Sequence, residues 1–212
     1  MTLKGLLSCG AVAGPLFTVV VVGQMLTRDG FDIRRQPLSL LSLGDLGWIQ
    51  IANFMLTGML FLAFSVGIRR ALHPGRAGTW APVFLAGHGA GLVLAGLFFA
   101  DPSMGFPPGA PAGVPASLSW HAVMHGVGFM LAFSSLTLAS FVFARRFAAF
   151  GQWGWVLYCV ATGVGSAALA TLPGEDARSV SYFVAGLITW AWTTAIAVRL
   201  MKESTESTHR AP

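Results

Sequence analysis

The chain has 212 residues, of which 55% are hydrophobic and only 10% charged, with a mean hydropathy of +0.70. A water-facing globular domain carries about 25% charged residues, so this composition excludes one and points to the membrane class. The formal charge of +5 would suggest nucleic acid in a soluble protein. Here it fits basic residues gathered at one end of membrane spans, and no nucleic-acid partner is expected.

Six apolar runs are long enough to cross the hydrocarbon, which needs about 20 helical residues. They predict an all-α, polytopic bundle of six transmembrane helices at about 5–25, 48–68, 80–100, 119–144, 152–172 and 180–200. The first follows Lys4 but outlasts the h-region of a signal peptide, so it reads as a retained span. The loop after it, TRDGFDIRRQPLSLLSLGDLG, carries Asp-Gly turn chemistry and a break at Pro37. Its Ser39–Ser42 piece is expected to form a short interfacial helix, and Arg34 and Arg35 could grip phosphate head groups.

The second span carries Gln50, Asn53 and Thr57 at helical spacing on one face. Amides inside a membrane are costly unless they meet partners. Two arrangements would satisfy them: a cavity wall shared with the fourth span, or packing with amide-to-backbone bonds. The third span holds His88 among Gly87, Gly89 and Gly91, a run that reads as close helix packing. Gly10 with Gly14 and Ala161 with Gly165 are further small-residue pairs.

Asp101 then opens a loop in which five prolines, from Pro102 to Pro115, forbid regular helix. Ser117 or Ser119 is expected to cap the fourth span. His121 and His125 follow four residues apart, on one helical face and about 6 Å apart along the axis. Two imidazoles so spaced can share a divalent ion. Asp101 is the candidate general base or oxygen ligand, and His88 the candidate third ligand. His88 lies roughly 18 Å below Asp101 on a straight helix, deeper than the other two. Zinc is the cofactor this set would take; haem held by His88 and a histidine of the fourth span is the less favoured alternative. Bland readings stand beside these: histidines hydrogen-bonded at a membrane interface, and an Asp-Pro turn.

The two cysteines, Cys9 and Cys159, fall inside apolar segments and read as small hydrophobes. After the sixth span, residues 201–212 form a polar tail expected to be cytoplasmic and disordered. Nine of the thirteen Lys and Arg residues lie at the end of the spans that carries the termini, whereas six of the eight acids lie in the opposite loops. The positive-inside rule therefore puts both termini in the cytoplasm and three loops outside. No P-loop, G-x-S-x-G or dinucleotide fingerprint is present.

The segments RRQPLSLLSLGDLGWIQIANFMLTG (34–58), DPSMGFPPG (101–109), LSWHAVMHGVGF (118–129) and FVFARRFAAFGQWGW (141–155) resemble the bacterial membrane proteins of domain of unknown function 998. The resemblance runs in order from about residue 5 to 200. It implies a six-span protein of the bacterial plasma membrane and no established reaction. A looser likeness is to membrane hydrolases that include the alkaline ceramidases. Their His, Asp and His-x-x-x-His would correspond here to His88, Asp101, His121 and His125. Those proteins have seven spans and a serine one turn before the first histidine, where this chain has Phe84. Two functions follow as expectations: an outward polar site binding a lipid or small molecule, with Gln50, Asn53, Arg34 and Arg35 among its contacts, or a zinc-dependent hydrolase of lipid esters or amides.

Overall fold

Four helices of the computed structural model open on an exposed tryptophan. Trp48 and Trp120 mark one end of the molecule, Trp80 and Trp153 the other. Amphipathic indole rings settle at the head-group level, so these four residues outline the two faces of a bilayer. Between them run α1 (Leu3–Thr27), α2 (Gly47–Leu72), α3 (Trp80–Leu97), α4 (Trp120–Ala149), α5 (Trp153–Thr171) and α6 (Arg178–Arg210). All six are long and apolar enough to span a membrane. The structure describes residues 1–171, 174 and 177–210, with side chains through residue 205. Of the loop expected between the fifth and sixth spans, residues 173, 175 and 176 lie outside the described residues.

Each helix packs on the next, and α6 returns to α1, so the bundle closes into a ring. Closure is tied at the end carrying the termini, where the Ser8 hydroxyl meets the Met201 sulfur at 3.3 Å. Arg199 there donates to Gln152 at 2.8 Å and lies over the rings of Phe147 and Trp155. It also pairs with Glu203 one helical turn on. That i,i+4 pair continues α6 past its apolar stretch, so the chain expected to be disordered after residue 200 is helical through Arg210.

Glycine decides how closely the α2–α3–α4 wall packs. A Cβ at Gly58 would sit 2.7 Å from the Gly89 carbonyl oxygen, and one at Gly91 would sit 2.5 Å from the Ala132 nitrogen. Those contacts are backbone on backbone, the close approach that small residues permit in lipid. The Ala161–Gly165 pair is not used in this way. Gly165 faces open space, and α5 instead turns Cys159, Thr162, Gly163 and Ser166 inward.

The loop after α1 folds over the end opposite the termini. It forms the expected short helix, Leu38–Ser42, but buries it: Leu40 and Leu41 are almost wholly enclosed. Three apolar leucines gain more by packing into the bundle than by lying along the lipid interface. Arg28 holds this loop by donating to the carbonyls of Leu41 and Leu43, with its guanidinium over Phe106. Gln36 bridges the two long loops, accepting from the Asp32 amide and donating to the Met104 carbonyl.

Candidate functional site

Inside the ring lies a cavity of about 280 Å³, bounded by α1, α2, α3, α4, α6 and the Pro37–Ser39 segment. α5 contributes nothing to it. Its walls are largely aromatic, with Phe17, Phe54, Phe129, Tyr182 and Trp190 among them. Both His88 and His125 reach it, despite the difference in depth expected from the sequence.

His125 is held by its Nδ1–H, which donates to the carbonyls of Ala95 and Phe98 at 3.0 and 2.8 Å. Those oxygens are at the frayed end of α3, where helical carbonyls lose their partners. The bond fixes the ring edge and leaves Nε2 as the lone-pair nitrogen of the neutral imidazole. His88 differs. Its Nδ1–H donates to the Ala132 carbonyl at 2.9 Å, and its Nε2 faces the Trp190 indole N–H at 3.5 Å. Phe61 lies edge-on at 4.3 Å, so His88 is packed against α2, α4 and α6 and only its remaining edge meets the cavity.

His121 stands one turn above His125 and outside the cavity. Its ring stacks on Phe99 at 4.9 Å and touches Phe98 and Trp120. Its Nδ1 is buried without a hydrogen-bond partner. Asp101 caps the start of α4: its two oxygens accept from the Ser119 amide at 2.8 Å and the Ser119 hydroxyl at 2.6 Å. Ser119 in turn accepts from the Ala122 amide, the cap expected from the sequence. These bonds to Ser119, followed by the nearby His121, hold the Asp101 carboxyl below its ordinary range. Among the described residues, no group of three or more His, Cys, Asp or Glu side chains is arranged to hold a metal ion. Coordination by His88 or Asp101 would require exchange of the partners just described, whereas His121 Nδ1 and His125 Nε2 have none to exchange.

Gln50, Asn53 and Thr57 share the buried face of α2. The amides turn toward α1 rather than into the cavity. Gln50 Oε1 accepts from Gln24 at 2.8 Å and from Asn53 at 3.4 Å, and Asn53 also donates to the Phe17 carbonyl. Gln24 Oε1, Gln50 Nε2, Asn53 Oδ1 and the Thr57 hydroxyl are left buried without a partner. Arg34 pairs with Asp32 at the exposed loop surface, and Arg35 is exposed beside it. Neither is among the cavity-lining residues.

Sequence reasoning missed Gln24, Gln36, Arg28 and Trp190. Gln24 was legible in principle, as the only amide within an otherwise apolar first span. Trp190 sat among six other tryptophans with nothing in its neighbours to separate a cavity wall from a belt residue.

Six apolar helices in a closed ring, belted by tryptophan at both ends, define a multi-pass integral membrane protein of the lipid bilayer. The chain belongs to the family described as protein of unknown function (DUF998), whose model matches residues 11–199. No curated protein and no solved structure matches it.

Proposed function

We propose that this protein is a binding protein of the bacterial plasma membrane, holding one lipid-like or small apolar molecule in the cavity at the centre of its helix ring. The observation that carries this reading is an aromatic-walled space of about 280 Å³ with an incompletely bonded histidine in its wall. Ligand sites are concave and mostly apolar, with a few fixed polar groups that orient the guest. The basic end, with both termini, faces the cytoplasm, because Arg69, Arg70, Arg146 and Arg199 follow spans that end there. The cavity then lies toward the outer half of the bundle, beneath the two interlocked loops.

Gly186 provides the test. It lines the cavity, and a Cβ there would meet only the Trp190 ring, at 3.7 Å. Gly186→Phe should fill the space without forcing the helices apart. Native mass spectrometry of wild-type protein released from mild detergent should show an apolar adduct that the variant lacks. An adduct of equal occupancy in both, or none in either, overturns the reading. The zinc hydrolase raised by the sequence is separated by metal analysis of the same preparation beside a His121→Ala/His125→Ala variant. Stoichiometric zinc lost in the variant would replace the binding reading.

A further inference from the structure

The cavity's chemistry narrows what it can hold, and this deeper reading rests on the cavity being a ligand site. Its lining contains no Lys, Arg, Asp or Glu among the described residues. An ionised head group enclosed there would have no countercharge, and burying an unpaired ion is far costlier than burying a neutral polar group. Fatty carboxylates, phosphates and quaternary amines are therefore poor guests.

The polar atoms that remain include one unmatched acceptor. His125 is 8% exposed, and its Nδ1–H is already shared between two carbonyls. Its Nε2 has no protein partner and is open to an N–H or O–H from a guest. Thr189 spends its hydroxyl proton on the carbonyls of Ala185 and Gly186, leaving another acceptor in the wall. The wall's own donors are the hydroxyls of Ser39, Ser179 and Tyr182 and the Trp190 N–H, the last directed at His88. A guest hydroxyl can donate to Nε2 and accept from a wall hydroxyl in turn; a guest that only accepts leaves Nε2 unmatched.

Size sets the third limit. At about 280 Å³ the space is near the lower end of small-molecule sites. It has room for one short chain or ring, not the paired acyl chains of a membrane phospholipid.

We infer that the cavity takes a single-chain, uncharged alcohol, its hydroxyl donating to His125 Nε2 and its hydrocarbon lying among Phe17, Phe54 and Phe129. Recognition is by one hydrogen bond inside an otherwise greasy cleft.

A head-group series at constant chain length tests this. Protein in phospholipid nanodiscs is photolabelled with a diazirine derivative of 1-nonanol, and labelled residues are mapped by mass spectrometry. Nonanol, nonane, nonanoate and nonyltrimethylammonium then compete at equal mole fraction in the lipid. Label is expected on cavity residues, with nonanol competing about five- to ten-fold better than nonane, the worth of one neutral hydrogen bond. The two ions should compete more weakly still. In His125→Phe the advantage over nonane should vanish while nonane itself still competes; His125→Gln, which keeps both a donor and an acceptor, should retain part of it. Equal competition by nonanol and nonane in wild type, or preference for either ion, overturns the alcohol assignment but leaves an apolar binding site standing. Label absent from the cavity, or unchanged in Gly186→Phe, sinks the binding reading itself. The wild-type comparison decides between these even if His125→Phe fails to fold.

Discussion

The two sides of the ring are built differently. Along α2, α3 and α4 the helices touch through glycine, so close that a single added methyl would strike backbone. On the opposite side α5 buries only four residues, and Gly154 and Gly165 look into open space. Lipid offers no hydrophobic drive for helices to associate, so van der Waals fit and polar ties must hold them together. The tight side has both. It also forms one wall of the cavity, through Phe54, His88, Leu92 and His125, and α1 and α6 form the other. Between α4 and α6 large side chains meet instead of backbone, Phe129 against Tyr182 at 5.2 Å. Tight packing of α2, α3 and α4 thus fixes one wall of the void, and α5 takes no part in it.

The largest expected effect breaks the tight side. Gly91→Leu places a side chain against the backbone of Gly128 and Ala132, where no rotamer can yield. Overpacking costs about 1–3 kcal/mol even where neighbours relax; here loss of a monodisperse peak in detergent chromatography should follow. A milder change acts at the α1–α2 seam. Gln50→Leu removes the acceptor shared by Gln24 and Asn53 and should lower stability by about 1–3 kcal/mol. Replacing Gln24, Gln50 and Asn53 together by leucine should restore most of it, because no amide is then stranded. Thermal melts of wild type, the single variant and the triple variant check both statements.

Smaller again is the Asp101 tie at the start of α4. Its carboxyl titrates lower in the folded protein than in the unfolded chain, so its contribution is complete above the unfolded value of about 3.9. It is lost as pH falls through the depressed folded value. Asp101→Asn should lower the melting temperature slightly at neutral pH and converge on wild type in strong acid. The smallest effect belongs to α5: Gly165→Ala meets nothing within 4 Å and should leave the melting temperature unchanged. A clear loss there would show that the loose side is packed in a way its contacts do not reveal.

How much of this could be read beforehand varies with the physics involved. The spans were legible because hydrocarbon thickness sets a minimum length of apolar chain, and each expected span overlaps its helix. The helices overrun those estimates at several ends, since backbone hydrogen bonding continues past the last apolar residue; α4 goes on to Ala149 and α6 to Arg210. The His121–His125 spacing placed both residues near the start of α4, but not which way each ring would turn. His125 looks inward because α3 ends beside it and presents free carbonyls, a fact about a neighbouring helix. The same holds for Gln50 and Asn53: periodicity gave their shared face, while the choice between α1 and the cavity depended on Gln24. Ring closure by α6 against α1 has no local signal at all, because the residues involved lie more than 180 positions apart.

That closure has a topological consequence. With Ser8 beside Met201, α1 and α6 are neighbours like any other adjacent pair. Joining the two ends by a short linker and reopening the polypeptide at the 73–79 turn would preserve every helix–helix contact in a new order. A circular permutant of this kind would carry the same central cavity.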